Sequence, residues 1–406
     1  MGALAATACG NGDLVGATGD ANILDARVPP ADARSSIDAS APPTPSDANP
    51  AVDAAVVPMD AGTPDAVGTR DAALPRDAAL PRDAGLPPDA APPLDAAVPD
   101  AAPPDAAFDP NQLPHRALCA GQYGPPTEAA VMEDPALIEV SGVLVSPTTP
   151  HLLWMHNDSG DSARLYASRD DGTRLGHVFL RNVTARDFED IDAAPCPDGH
   201  GLCLWVADIG NNTHARTDLV VYAVPEPAVD VDTPFADVNS APVWSFPFHY
   251  PQNAAPDAEG VAVAPDGSTF YILEKIDWDH ARVWKHPGLQ GAAHDAPEVE
   301  LISLADLPSP GVDRPSGRQI TGAELHPSGT RLVVRVYSGI YEYRLDPQFG
   351  MDRLDLAERI EVVQADDHEP QGEAVCYDAT GQGVYSISED AGGRGGRILH
   401  HYDCTP

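Results

Sequence analysis

The chain has 406 residues, 43 of them Pro, and a formal net charge of −38. A negative balance of that size argues against nucleic acid and against anionic membrane surfaces as partners. Its six Cys include no CxxC pair, which argues against a structural zinc site.

The first ten residues read Met-Gly-Ala-Leu-Ala-Ala-Thr-Ala-Cys-Gly. Small residues ahead of Cys9 resemble a bacterial lipobox, with Cys9 as the lipidated residue, although the eight residues before it include no basic n-region. Residues 1–12 are read as a signal remnant on that basis. Gly10 rather than Asp beside the Cys points, by analogy with such lipoproteins, to the outer membrane or cell surface. Residues 13–112 are built from Ala, Pro and Asp, as in the identical copies Asp71–Arg76 and Asp77–Arg82. The first Phe is Phe108, and neither Tyr nor Trp occurs before Tyr123. With almost nothing to bury against the entropy of ordering, this stretch is expected to be a disordered tether, extended by Pro and by Asp repulsion.

From residue 113 to 406 the pattern changes. A polar residue, a small residue and an alternating apolar run recur as Ser141–Pro147, Glu189–Pro195, Glu259–Pro265, Thr321–Pro327 and Glu373–Asp378. A second strand-like run follows each: Leu152–Met155, Leu204–Val206, Phe270–Leu273, Leu332–Val334 and Val384–Ile387. Paired short strands repeating every fifty to seventy residues or so predict an all-β propeller over 113–406. Six blades are expected, with five or seven as alternatives, because Val243–Phe246 and Val299–Ile302 leave room for a divergent blade. Among the Cys, Cys196 and Cys203 bracket a hairpin turn, and Cys119 and Cys404 bracket the folded region. Two disulfides are expected accordingly. Cys376, inside a strand, reads as a small buried hydrophobe.

In a propeller, the starts of the first strands and the ends of the antiparallel second strands lie at one mouth of the channel. The first set is Ser141, Glu189, Glu259, Thr321 and Glu373. The second includes Asn157, Asp158, Asp208, Asn211, Lys275, Arg335 and Glu389. Mixed carboxylate and amide oxygens from several segments suit a hard cation such as Ca²⁺. Glu189, Asp208, Glu259 and Glu373 are therefore candidate metal ligands, and Asn157, Asp158, Asn211, Lys275 and Arg335 candidate ligand-binding residues. Acids at strand ends also cap turn amides, so each position taken alone reads as structural. Arg164, Arg216, Arg282 and Arg397 precede later strands and read as structural ion-pair partners. The His residues share no register, and Ser159 lacks the framing glycines of a nucleophile elbow.

Asn157-Asp-Ser-Gly160, Asp187-Phe-Glu-Asp-Ile191, Asp208-Ile-Gly-Asn-Asn212 followed by Arg216, Asp257-Ala-Glu-Gly260 and Thr321-Gly-Ala-Glu324 resemble a group of extracytoplasmic bacterial β-propeller proteins. That group is placed loosely with the TolB-like and phytase-like propellers. The resemblance covers about 137–402 and implies the propeller fold more firmly than any activity. Phytase-like relatives imply Ca²⁺ in the channel, but the dense carboxylate-and-lysine phosphate cluster of the phytases is missing. The expectation is a monomeric, lipid-anchored module that binds an envelope or extracellular ligand, with the membrane reached only through the anchor. A metal-dependent hydrolase of phosphoesters, esters or lactones is the alternative.

Overall fold

The computed structural model describes residues 117–276, 280–289, 291–308, 317, 319–363, 369, 371–389 and 396–405. Cys9, the 13–112 tether and the expected start of the folded region at Leu113 lie outside the described residues.

Five innermost strands begin five sheets: Val140–Val145, Phe188–Pro195, Ala258–Val263, Ile320–Leu325 and Gly372–Tyr377. Blade 1 continues outward through Leu152–Asn157, Arg164–Arg169 and Arg174–Phe179. Blade 2 continues through Leu202–Asp208, Val220–Pro225 and Trp244–His249, and blade 3 through Phe270–Glu274, Val283–Lys285 and Ile302–Ser303. Blade 4 adds Arg331–Val336, Gly339–Arg344 and Glu358–Val363. Blade 5 adds Val384–Ser388, Ile398–Tyr402 and, as its outermost strand, Thr127–Val131 from the other end of the chain. Each inner strand contacts the inner strands of the blades on either side, closing the ring.

The protein is therefore a five-bladed propeller, not the six-bladed one expected. The segments that left room for another blade are absorbed by existing ones. Trp244–His249 is the fourth strand of blade 2, and Ile302–Ser303 the fourth of blade 3. Just ahead of each of these strands, Val238–Asn239 adds parallel to the edge of blade 1, and Val299–Glu300 parallel to the edge of blade 2. Each short strand covers the edge of the preceding blade, where unpaired backbone groups would otherwise template aggregation. Among the described residues no helix is long and apolar enough to cross a membrane.

Each blade presents one side chain set to each neighbour, so its inner strands are apolar on both faces and buried, while outermost strands such as Thr127–Val131 and Ile302–Ser303 are largely exposed. Val143 packs with Ala374, Cys376 and Leu399 of blade 5, while the adjacent Leu144 packs with Ile191 and Leu204 of blade 2. Trp205 and Phe246 of blade 2 meet Val261 and Phe270 of blade 3, with Trp205 stacked on Phe246 at 5.6 Å between centroids. Leu273 and Val283 meet Leu332 and Tyr341 across the blade 3–4 interface, and Val333 and Ile340 meet Val375 and Tyr402 across that of blades 4 and 5.

Both expected disulfides are present. Cys196–Cys203 spans the turn between the first two strands of blade 2, and Cys119–Cys404 seals blade 5 across 285 residues. Beside the seal, Gln122–Tyr123 pairs with Cys404–Thr405. Closing so long a loop removes unfolded-state entropy corresponding to about 5 kcal/mol in the chain-entropy model. Cys119→Ser with Cys404→Ser should lower the urea midpoint accordingly, whereas Cys196→Ser with Cys203→Ser should lower it less. Equal effects of the two pairs would contradict this account.

Two carboxylates outside the channel contribute stability that is lost in acid. Arg174 Nε and His177 Nε2 donate to Asp134 Oδ2 at 2.7 and 2.8 Å. Burial alone would raise the Asp134 carboxyl, but His177, the Ala136 amide and Arg174 outweigh it and hold the value at about 2. Asp378 is likewise held at about 2 against its burial by His401, Thr380 and the Gly383 backbone. Folded values below the ordinary 3.8 mean that the stabilisation is complete above that pH and lost as the pH falls through the folded value. The difference in unfolding midpoint between the native chain and an Asp134→Asn, Asp378→Asn variant should shrink over that window; a pH-independent difference would refute this.

Candidate functional site at the channel mouth

The same irregularity opens all five inner strands. Val140 pairs with Asn157 and Gly142 with His156, so Ser141 faces no ladder partner. Register slips in the same way at Glu189, Glu259, Thr321 and Glu373. A bulge leaves one residue outside the ladder and re-aims its side chain. These five residues thus form one ring at the mouth, and all are at least 95% buried.

The two hydroxyls join neighbouring blades: Ser141 Oγ donates to the Glu189 carbonyl at 2.7 Å, and Thr321 Oγ1 to the Gly372 carbonyl at 2.9 Å. The three Glu are held differently. Glu259 is paired with Lys275 Nζ, which lies 5.2 Å from the centroid of the Tyr337 ring. Glu373 Oε1 accepts from Gln371 Nε2 at 2.7 Å. Glu189 Oε2 lies 3.4 Å from Ser141 Oγ, while its Oε1 has no hydrogen-bond partner despite being buried.

Around this ring stand Asp158, Asp187 and Glu389. Burial pushes the Glu189 carboxyl well above the ordinary range, and Asp158, Glu259 and Asp187 push it further against the pull of Lys275. Glu373 is raised by burial and then by Glu259 and Glu389, again against Lys275. Asp158 is raised by burial together with Asp187, Glu259 and Glu389. Asp187 is also raised, chiefly by burial, although Asp158 and Arg216 pull the other way. Asp158, Asp187, Glu189, Glu259, Glu373 and Glu389 therefore act on one another, with Asp208 and Asp257 also acting on Asp187, against the positive charges of Lys275 and Arg216.

The remaining residues singled out in the sequence hold this arrangement. Asp208 accepts from the amides of Arg186 and Asp187 at 3.1 and 3.0 Å and from Arg216 Nη2 at 2.8 Å. It thereby fixes the backbone of Asp187, with its own carboxylate occupied by these donors. Asn211 accepts from the Ala215 and Arg216 amides, donates to the Ala255 and Pro256 carbonyls, and donates its own amide to Asp257 Oδ1 at 2.7 Å. Asn157 is occupied by the Ala136 carbonyl, Asp161, Tyr166 and the Glu139 amide. Arg335 is fully buried against Gly372 and pairs with Glu369 at 2.6 Å, and Glu369 in turn faces His400. Arg164 pairs with Asp161 at 2.8 Å, the structural role expected of it.

Asp187 belongs to the cluster but was not among the expected ligands. The signal was present: Asp187-Phe-Glu189 and Asp257-Ala-Glu259 place Asp two residues before a bulged Glu in successive blades. Their partners differ. Asp257 accepts the Asn211 amide, whereas Asp187 meets the carboxyl of Asp158.

Lys275 is the balancing charge. Removing one partner of a buried pair costs about 3–5 kcal/mol because the other charge stays buried and uncompensated. In cation-free buffer Lys275→Met should therefore lower the melting temperature sharply, and adding Glu259→Gln should restore part of the loss. Strict additivity of the two substitutions would show that the pair is not coupled.

No protein-family model matches the chain, and neither does any curated protein. Among solved structures it is similar to a functionally unknown protein from Desulfotomaculum acetoxidans, at 8% identity and a TM-score of 0.34, with 61% of this chain and 65% of that one covered. The chain thus spans slightly less than two thirds of that structure. It is also similar to the RRP9 WD40 repeats, at 12% identity and a TM-score of 0.32 over 66% of this chain and 67% of that one. U3-55K is similar at 13% identity and a TM-score of 0.32, over 66% and 68%.

Proposed function

We propose that the protein is a cell-envelope binding module, a propeller whose acidic mouth receives a divalent cation or a cationic group of an envelope or extracellular partner. In this reading the 13–112 tether and a lipid on Cys9 display a monomeric propeller at the outer membrane or cell surface. The two disulfides are consistent with an oxidising compartment. The observation that carries the reading is the excess of carboxyl groups at the mouth: Asp158, Asp187, Glu189, Glu259, Glu373 and Glu389 interact around Lys275. Converging carboxylates repel strongly at these separations, so protons or a cation must compensate them. A ligand that brings positive charge would relieve the repulsion in the native state alone.

Thermal melts with CaCl₂ and, separately, with spermidine test this reading. A ligand that binds only the native state stabilises it by mass action, about 2.7 kcal/mol at a hundred times Kd. At least one of the two cations is expected to raise the melting temperature. Melts insensitive to both would retire the cation-receiving mouth in favour of one neutralised by Lys275. Turnover in a parallel panel of chromogenic phosphoesters, esters and lactones would favour the hydrolase instead.

A further inference from the structure

We propose that Asp158, Asp187 and Glu189 form a site for one Ca²⁺ at the junction of blades 1 and 2. The proposal rests on the cation-receiving mouth and narrows it to one ion and one ligand set, which replaces the wider set of Glu189, Asp208, Glu259 and Glu373.

The geometry is compact. One carboxylate oxygen from each of the three residues lies within 4.8 Å of the other two. Ca²⁺ binds oxygens at about 2.3–2.6 Å, so ligands of one ion lie up to about 5 Å apart. Three carboxylates supply part of the six to eight positions that Ca²⁺ takes. Asp158 and Asp187 each keep partial solvent exposure, so water or a partner can supply the remaining oxygens.

Three further observations point to a ligand. Glu189 is 2% exposed, and its Oε1 accepts no hydrogen bond. That atom is aimed at Asp187: a Cβ on Gly210 would lie 1.9 Å from Glu189 Oε1 and 2.4 Å from Asp187 Oδ2, so both carboxylates converge over the bare Cα. Finally, the carboxylate of Asp257, at the Asp187 position one blade on, accepts a backbone amide, whereas a carboxylate oxygen of Asp187 lies within 4.8 Å of oxygens of Asp158 and Glu189. Carboxylates so close together must share a proton or hold a cation between them.

The surrounding residues fit a preformed site. Asp208 pins the Asp187 backbone, and Arg216 Nη1 donates to the Gly210 carbonyl at 2.8 Å, holding the loop that carries Gly210 in place. Glu259 and Lys275 neutralise one another at the far side of the ring and do not belong to the ligand set. Three stretches of sequence, around Asp158, Asp187–Glu189 and Gly210, thus serve a single purpose.

The test is calorimetric titration of the chelator-treated full chain with CaCl₂, and separately with spermidine. One Ca²⁺ per chain is expected. Asp187→Asn removes a ligand charge, and Gly210→Ala keeps every charge but drives a methyl group into the carboxylates. Each should weaken binding at least about tenfold, while Asp134→Asn, outside the channel, should leave it within a few-fold. Melting curves of the variants verify that they fold. Ca²⁺ binding that survives in Asp187→Asn, or that is lost equally in Asp134→Asn, would overturn the assignment. Binding of spermidine without Ca²⁺ would also overturn it, while leaving the acidic mouth standing as a receptor for organic cations.

Discussion

Five sheet edges converge on one axis, and every inner strand turns backbone groups toward that axis with no further strand to pair them. Buried amides without acceptors are costly, so the channel must be filled by acceptors from neighbouring blades. Asp190 does this most directly: its Oδ2 accepts from Val261 in blade 3 and Ala323 in blade 4, at 2.8 and 2.9 Å. Asp192 accepts from Val263 at 2.7 Å, and Glu324 from Tyr377 at 2.5 Å. These carboxylates work as joints between blades, and much of the acidity of the inner strands follows from that need.

The mouth begins where this arrangement stops. At the bulged positions the side chain leaves the ladder, and blades 1 and 4 place hydroxyls there that bond to the next blade. Blades 2, 3 and 5 place Glu at the same point, where amide partners are scarce and charge must be compensated by other means. Lys275 serves Glu259, and Gln371 serves Glu373. Glu189 has the weakest support of the three. The contrast between Asp190, saturated with amides, and Glu189, one residue earlier, separates the structural acids from those of the mouth.

Much of this was legible in the sequence because strand alternation and turn chemistry are local. The five repeats, the ring register and both disulfides follow from spacing alone. Blade number was not legible, since Val243–Phe246 and Val299–Ile302 read as strands of a further blade but pair as outer strands of blades 2 and 3, Val299–Glu300 joining blade 2 out of chain order. Among the proposed ligands, Asp208 and Asn211 read as polar strand ends but spend their oxygens on nearby amides. Those hydrogen bonds depend on how a loop folds back, which side-chain type does not encode. Asp187 was overlooked for the converse reason: its opposite number lies in the preceding blade, 29 positions away along the chain.

The outermost strand of blade 5 carries a kinetic consequence. Thr127–Val131 can pair only with Ile398–Tyr402, so one of the earliest strands of the propeller waits for nearly the last. Contacts of such long sequence separation form slowly. Until then the nascent ring carries two open edges and a bare apolar flank on blade 1, where Val143 and Met155 await blade 5. A chain emerging vectorially would therefore spend its most aggregation-prone interval immediately before completion. Any factor that holds the unfinished chain would then act on that open ring and not on individual blades.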